Sequence, residues 1–287
     1  MKSPLPFIAG HEGVGIVRAV GEGTIRKVGE RVAIPWLGYS CGTCRNCING
    51  WETICPNQIQ NGFARNGAFA KYAAVDGNWC GVVPDGVSSQ DAAPLVCAGV
   101  TTYKAVKVSG LRSTELAAVF GIGGLGHLAL QYARIAGGVP VAVDVKDDKL
   151  ELARELGADY VVNASREDPV KAIQALGGAD VAIVVTPNEK VFDQALAALR
   201  PGGRLVCVAL PAGGGTLSVP IFDTVLFAKT VIGSIVGTRN DLDDVLKLHA
   251  LGKTKVISIS VPIEDINQSF NLMLAGKIPA RHVIMDF

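Results

Sequence analysis

The feature that most constrains the fold of this 287-residue chain is a glycine-rich turn, Gly121-Ile122-Gly123-Gly124-Leu125-Gly126, between an apolar strand and an apolar helix. In such a unit the glycines permit the tight turn, the approach of backbone to a pyrophosphate and close helix–strand packing. The helix N-terminus offers free N–H groups to phosphate oxygens. Because the chain contains 34 glycines, the motif alone is weak and its context decides.

The region after Leu116 alternates between apolar strands and helices, which is typical of a doubly wound parallel sheet covered on both faces. Helices are predicted over Leu125–Ala136 and Asp148–Leu156. Six strands are predicted: Leu116–Phe120, Val139–Val143, Tyr160–Asn163, Val181–Val185, Arg204–Ala209 and Thr230–Ile235. We expect an α/β Rossmann domain over residues 108–251.

The second of these strands ends at Asp144, 18 residues beyond Gly126. A carboxylate at this place accepts hydrogen bonds from ribose hydroxyls and repels a 2′-phosphate, so NAD is favoured over NADP. The alternative interpretation is a glycine-rich turn and a capping Asp in a Rossmann-like domain that binds nothing.

The remainder of the chain is expected to form a second, β-rich domain from residues 1–107 and 252–287. The sequence of its N-terminal part predicts short strands that are separated by Gly, Pro and Asn. These strands are Val14–Val20, Arg31–Ile34, Phe69–Ala74 and Cys80–Val83. After about Leu251 a strand, a helix and a strand are expected to return to this domain.

Four cysteines within fifteen residues, Cys41, Cys44, Cys47 and Cys55, have the spacing C-x2-C-x2-C-x7-C. Four thiolates complete the tetrahedral shell of zinc and leave no open position, which indicates a structural site. An iron–sulfur cluster, whose cysteine spacing is similar, and a set of reactive thiols are the alternatives.

Charge and hydropathy exclude other classes of partner. The net charge is +1 and no basic tract occurs, so neither nucleic acid nor an anionic membrane surface is expected as a partner. The sequence has no run of about 18 uninterrupted apolar residues, so a transmembrane helix is not expected. The N-terminus does not resemble a signal peptide, and we expect a cytoplasmic protein.

Several motifs together resemble the zinc-dependent medium-chain alcohol dehydrogenases. The motifs GHEGVG at 10–15, CAGVTTY at 97–103, the four cysteines and the glycine turn fall in the order seen in that family. The motifs IPWL at 34–37 and IFDTVL at 221–226 are similar to the bacterial and yeast-like, NAD-linked branch.

The resemblance implies a GroES-like catalytic domain beside the Rossmann domain, with a cleft between them. It implies that His11 and Cys97 are ligands of a catalytic zinc and that Glu12 lies beside or transiently on the metal. Trp36 would line a narrow pocket for small primary alcohols. The implied contacts to the cofactor are Thr101 at the nicotinamide region, Lys149 at the adenosine ribose and Arg281 at the pyrophosphate.

The chain departs from the family pattern before His11. Members of the family have a cysteine, a third ligand of the catalytic zinc, several tens of residues before the Gly-His-Glu motif, whereas only ten residues precede His11 here. We therefore expect an N-terminally truncated GroES-like domain with an incompletely occupied catalytic site. A deliberate truncation, a late start codon and a natural short form are all compatible with this pattern.

The predicted function is NAD-dependent, zinc-assisted interconversion of small alcohols and aldehydes by a homo-oligomer, a dimer or a tetramer. The alternatives are an NAD-binding and structural-zinc-binding protein without catalysis, and a zinc-independent reductase. The other three histidines, His127, His249 and His282, are expected at the surface.

Overall fold

A computed structural model describes residues 5–287 of the chain. It divides into two compact units. One unit runs to Val100 and resumes at Val236, and the other spans Thr101–Ile235. Within the described residues, no helix combines the length and apolarity needed to cross a bilayer.

The N-terminal part of the first unit consists of short strands and two short helices. The strands are β1 (Gly13–Ile16), β2 (Arg31–Ile34), β3 (Leu37–Tyr39), β4 (Ile59–Gln60) and β5 (Gly81–Val82), and the helices are α1 (Arg45–Ile48) and α2 (Ser89–Pro94). Strands β1, β2 and β5 form an antiparallel sheet in that order, and β3 pairs with β4. Val32, Ile34 and Cys80 form a small core on this sheet.

Two strand predictions in this part are wrong. Phe69–Ala74 is not a strand, and the strand predicted over Val14–Val20 ends at Ile16. The backbone N–H of Phe69 bonds to the carbonyl of Ala9, but no ladder partner for residues 70–74 occurs among the described residues. Residues 70–74 therefore have no neighbouring strand with which to pair.

The second unit contains six strands and most of the helices. The strands are β6 (Leu116–Phe120), β7 (Val139–Asp144), β8 (Tyr160–Asn163), β9 (Ala179–Val184), β10 (Leu199–Cys207) and β11 (Thr230–Gly233). The helices are α3 (Val100–Ser109), α4 (Gly126–Ile135), α5 (Asp147–Glu155), α6 (Pro169–Ala175), α7 (Glu189–Ala197) and α8 (Ile221–Leu226).

All six strands are parallel, in the order β11-β10-β9-β6-β7-β8. This is the order of a dinucleotide-binding Rossmann sheet, with the direction of winding reversing between β6 and β9. Successive residues of β6 point to opposite faces. Phe120 packs in a core with residues of α6 and α7, whereas Val119 packs in a core with residues of α4 and α5. The predicted doubly wound sheet is confirmed.

The C-terminal part of the chain returns to the first unit. It contains α9 (Arg239–Ala250), β12 (Ser258–Pro262), α10 (Ile266–Leu274) and β13 (Arg281–Asp286), and β12 pairs with β13 in parallel. The predicted boundaries at 107/108 and 251/252 differ from the division in the structure, since α9 lies in the first unit. The buried side chains Leu242 and Val245 of α9 pack directly against the backbone of Gly81 and Gly99.

Candidate nucleotide-binding and zinc sites

The glycine turn joins β6 to α4. Gly121 has a φ of +95°, which L side chains rarely adopt, and a Cβ on Gly126 would lie 1.8 Å from the carbonyl oxygen of Gly121. Backbone geometry therefore requires both glycines. Gly123 is different, because a Cβ placed there would meet no atom within 4 Å. The open space beside Gly123 and the N-terminus of α4 fit a diphosphate, which needs close approach to backbone N–H groups.

Asp144 lies at the C-terminal end of β7, as predicted, and accepts three backbone hydrogen bonds. Its Oδ2 accepts from the N–H of Ile122 at 2.6 Å, and its Oδ1 accepts from Val145 at 2.8 Å and Lys146 at 3.1 Å. The carboxylate is thereby fixed against the glycine turn. Burial lowers the pKa of the nearby Lys149, while Asp148 and Asp144 raise it.

Thr101 lies in α3 and is buried. Its hydroxyl has no hydrogen-bond partner within the part of the chain that the structure describes. A buried hydroxyl without a partner is unfavourable unless a ligand or water satisfies it. Thr101 therefore fits the ligand-contacting position that the resemblance implies.

The four predicted zinc ligands come together in the first unit, with all sulfur atoms within 4.8 Å of one another. The Sγ atoms of Cys41 and Cys55 are 3.5 Å apart, and those of Cys44 and Cys47 are also 3.5 Å apart. A tetrahedral zinc with Zn–S bonds of about 2.3 Å separates its sulfur ligands by about 3.8 Å. The cluster fits a closed structural zinc site.

Local hydrogen bonds favour thiolates in this cluster. The N–H of Cys44 lies 3.3 Å from the sulfur of Cys41, and backbone N–H groups of Thr43 and Cys44 lower the pKa of Cys41 to about 6. The Ser40 hydroxyl lowers the pKa of Cys47, whereas burial raises that of Cys55 to about 11. A cation at the centre of the cluster stabilises all four as thiolates.

An ion pair that the sequence did not predict anchors the cysteine lobe. Glu52, between the third and fourth ligands, is buried and accepts hydrogen bonds from the backbone N–H of Arg239 at 2.7 Å and its guanidinium at 3.0 Å. The same guanidinium lies 3.9 Å from the centre of the Trp79 ring. The lobe is thereby tied to the N-terminus of α9 within the first unit.

His11 and Cys97 are 86 residues apart in the sequence but adjacent in the first unit. The Nε2 of His11 lies 3.2 Å from the Sγ of Cys97. A tetrahedral zinc separates a nitrogen and a sulfur ligand by about 3.5 Å, so the pair fits two positions of one metal site. Burial lowers the pKa of His11, with Glu12 raising it and Arg281 lowering it. Among the side chains that the structure describes, no third His, Cys, Asp or Glu joins these two in a compact ligand set.

Glu12 and Arg281 were predicted to contact different ligands, yet the structure pairs them with each other. The guanidinium of Arg281, at the start of β13, donates to Oε2 of Glu12. The other carboxylate oxygen, Oε1, is buried without a partner in the described structure. Glu12 is therefore paired with an arginine, although it is next to His11 in the sequence.

Trp36 lies beside His11, with ring centroids 4.9 Å apart and an interplanar angle of 78°. Its other neighbour is Phe63, at 5.5 Å. Asn61 holds this part of the backbone, since its side-chain amide donates to the carbonyl of Pro35 at 2.8 Å and its N–H donates to the carbonyl of Trp36 at 2.9 Å. Phe63 and Asn61 were missed because nothing in their local sequence marks them.

Cys97 lies on an irregular turn of the helical region that begins with α2. The π-helical turn Leu95–Gly99 follows the end of α2 at Pro94. Proline has no N–H for the helical ladder, so a change in hydrogen bonding at this point is expected. Such turns are frequent at functional sites.

The surface placement expected for the remaining histidines is wrong for one of them. His127 is 0% exposed, and its Nδ1 lies 3.0 Å from the carbonyl oxygen of Gly123. His249 and His282 are partly buried, each with a hydroxyl partner, Thr254 and Ser269 respectively.

Comparisons with known proteins agree with these features. Residues 124–250 match the zinc-binding dehydrogenase family and residues 1–85 match the alcohol dehydrogenase GroES-like domain. An alcohol dehydrogenase of Geobacillus stearothermophilus is 49% identical over 286 residues, covering 99% of this chain and 84% of that protein.

Solved structures have the same fold. The alcohol dehydrogenase of the archaeon Aeropyrum pernix is 32% identical, with a TM-score of 0.90 over 99% of this chain and 84% of that chain. The acetophenone reductase of Geotrichum candidum, solved with NAD, is 26% identical, with a TM-score of 0.87 over 100% of this chain and 83% of that chain. The chain therefore belongs to the zinc-containing medium-chain alcohol dehydrogenase family.

Proposed function

We propose that this protein interconverts small primary alcohols and aldehydes with NAD as the hydride carrier and zinc as the Lewis acid. The observation that carries this proposal is the 3.2 Å approach of His11 Nε2 to Cys97 Sγ, in a chain of this family that also has the glycine turn and Asp144. NAD reduction by a graded series of primary alcohols tests it, with His11→Ala as the inactive control.

Bound zinc would supply Lewis acidity, and bound NAD would supply the hydride acceptor. His11 and Cys97 would hold the metal through one nitrogen and one sulfur, a donor set that suits zinc. Glu12, held by Arg281, places a carboxylate beside the ligand His11. The Trp36 ring, in contact with His11, would narrow the space for the alcohol and favour small substrates.

NAD is proposed as the cofactor in preference to NADP. Asp144 would accept hydrogen bonds from the ribose hydroxyls, with Lys149 beside it, while the glycine turn would hold the pyrophosphate. Thr101 would contact the nicotinamide region. Arg281 would bind the pyrophosphate and would leave Glu12 when it does so.

Asp144→Ala is expected to weaken NADH binding about tenfold and to reduce the discrimination against NADPH, because the repulsion of a 2′-phosphate is lost. Fluorescence titration with both nucleotides measures this. Glu151→Ala, at an exposed residue of α5, is the matched control and should bind both nucleotides as the wild type does. Tighter binding of NADPH than NADH by the wild-type chain would contradict the role of Asp144.

We propose that the protein is a homo-oligomer, a dimer or a tetramer, that pairs through α8 and β11. Strand β11 is an edge of the six-stranded sheet. Helix α8 leaves large apolar side chains in solvent, with Ile221 80%, Phe222 74% and Val225 75% exposed. An apolar patch beside a free strand edge is typical of a protein–protein contact. We further propose a cytoplasmic location.

Phe222→Asp is therefore expected to lower the solution mass of the protein towards that of a monomer, because it places a charge in the paired surface. Multi-angle light scattering measures this mass. Leu251→Asp, at a residue that is 70% exposed in the first unit, is the control and should leave the mass unchanged. A monodisperse wild-type monomer at micromolar concentration would contradict the proposal.

A further inference from the structure

His127 has no role in the function proposed so far, although it is buried at the nucleotide site. It is the second residue of α4 and is 0% exposed. Its Nδ1 lies 3.0 Å from the carbonyl oxygen of Gly123, and its backbone N–H donates to the same oxygen at 3.2 Å. Because a carbonyl only accepts, the hydrogen of this contact is on Nδ1. One residue thus gives two hydrogen bonds to one peptide group.

The orientation of this peptide group determines what the glycine turn offers to a ligand. The C=O of Gly123 and the N–H of Gly124 belong to one planar trans peptide, so they point in opposite directions. His127 holds the C=O towards the body of α4. The N–H of Gly124 is therefore directed out of the helix N-terminus. No carbonyl or side chain of the described structure accepts this N–H.

A peptide between two glycines needs such a restraint. Gly123 and Gly124 have no Cβ, and glycine populates positive and negative φ about equally, so the plane between them is intrinsically free to turn over. The open space beside Gly123 offers no packing that would prevent this. The two hydrogen bonds from His127 are the contacts that fix the plane.

We propose that His127 is a positioning residue of the nucleotide site, which fixes the Gly123–Gly124 peptide so that the N–H of Gly124 donates to a diphosphate oxygen. This inference rests on the proposed function, because it assumes a dinucleotide at the turn. A hydrogen bond to a charged phosphate oxygen is stronger than one between neutral groups, so its prior orientation contributes directly to affinity. The effect is confined to ligands that carry a diphosphate.

Calorimetric titration of the full-length chain with ADP and with adenosine tests this. His127→Leu has a similar volume but no donor, and it is expected to weaken ADP about tenfold, or about 1.4 kcal/mol, while adenosine binds as before. His127→Asn places an amide donor near the position of Nδ1 and should bind ADP within about threefold of the wild type. A merely structural role would not separate the two ligands.

Unchanged ADP affinity in His127→Leu would overturn the inference, and so would equal losses for ADP and adenosine. If His127→Leu does not fold, His127→Asn and His127→Gln decide the question. The longer Gln side chain misplaces the donor, so equal ADP affinities in these two variants overturn the inference and a weaker Gln variant supports it. A wild-type chain that binds neither ADP nor NADH overturns the proposed cofactor, whereas wild-type binding that His127→Leu leaves unchanged overturns only the role of His127.

Discussion

Replacing Cys41 by Ser is expected to release one zinc per chain and to lower the melting temperature by at least about 10 °C, the largest stability effect that we predict. The four sulfur atoms lie at distances from 3.5 to 4.0 Å in their closest contacts, close to those of a tetrahedral ion, and serine offers no thiolate to complete the shell.

The consequences of losing this zinc should extend beyond the lobe. Glu52 lies between Cys47 and Cys55 and binds Arg239 at the start of α9, so disorder in the lobe removes the partner of that guanidinium. Metal analysis and scanning calorimetry measure both effects. Cys207→Ser, at the end of β10 in the second unit, is the matched control and should retain its zinc. A wild-type protein that holds no metal and melts at the same temperature after chelation would refute the structural site.

His11→Ala is expected to reduce alcohol-dependent NAD reduction at least about 100-fold. Loss of an outer-shell partner of a metal ligand costs up to about 100-fold in activity, and loss of a ligand itself should cost no less. The substitution should leave NADH affinity and the zinc of the four-cysteine lobe unchanged. The reason is that His11 and Cys97 are the two close donors at this site within residues 5–287. Removing one leaves a single sulfur, which does not hold zinc tightly.

The number of ligands at each site predicts how tightly the chain binds zinc there, since His11 and Cys97 supply two ligands and the cysteine lobe supplies four. One zinc per chain should resist dialysis, in the four-cysteine lobe, and a second should bind between His11 and Cys97 weakly, with partial occupancy and weak turnover. Glu12→Gln tests whether the carboxylate supplies a further ligand. Two zincs that resist dialysis, together with ordinary turnover of ethanol, would show that a replacement ligand exists, and a loss of the second zinc in Glu12→Gln would identify it.

The sheet of the second unit could be predicted from sequence because its signals are local. The strand Leu116–Phe120 is apolar at every position, and the glycine turn, the next strand and Asp144 follow at fixed distances. The four-cysteine lobe was predictable for the same reason, since all its ligands lie within fifteen residues. Ser88 and Thr238, the N-cap residues of α2 and α9, are also local signals, because their side chains accept backbone N–H groups of the first helical turn.

The parts that the sequence did not predict depend on contacts between distant residues. The segment Phe69–Ala74 is mostly apolar, but strand pairing requires a neighbour that its own sequence does not specify. The contact of Arg281 with Glu12 joins residues 269 positions apart, and that of Arg239 with Glu52 joins residues 187 positions apart. The burial of His127 follows from the packing of α4 on the sheet, which the composition of the helix does not reveal.

The most direct test of zinc-assisted alcohol oxidation is ethanol-dependent formation of NADH by the zinc-replete protein. It is measured from the absorbance of the reduced nicotinamide, with His11→Ala assayed in parallel. We expect NADH formation above the level of His11→Ala, and we expect it to be lost on chelation and restored by zinc. A zinc-replete wild-type protein that binds NADH but reduces NAD no faster than His11→Ala would contradict it and would leave an NAD-binding protein with a structural zinc.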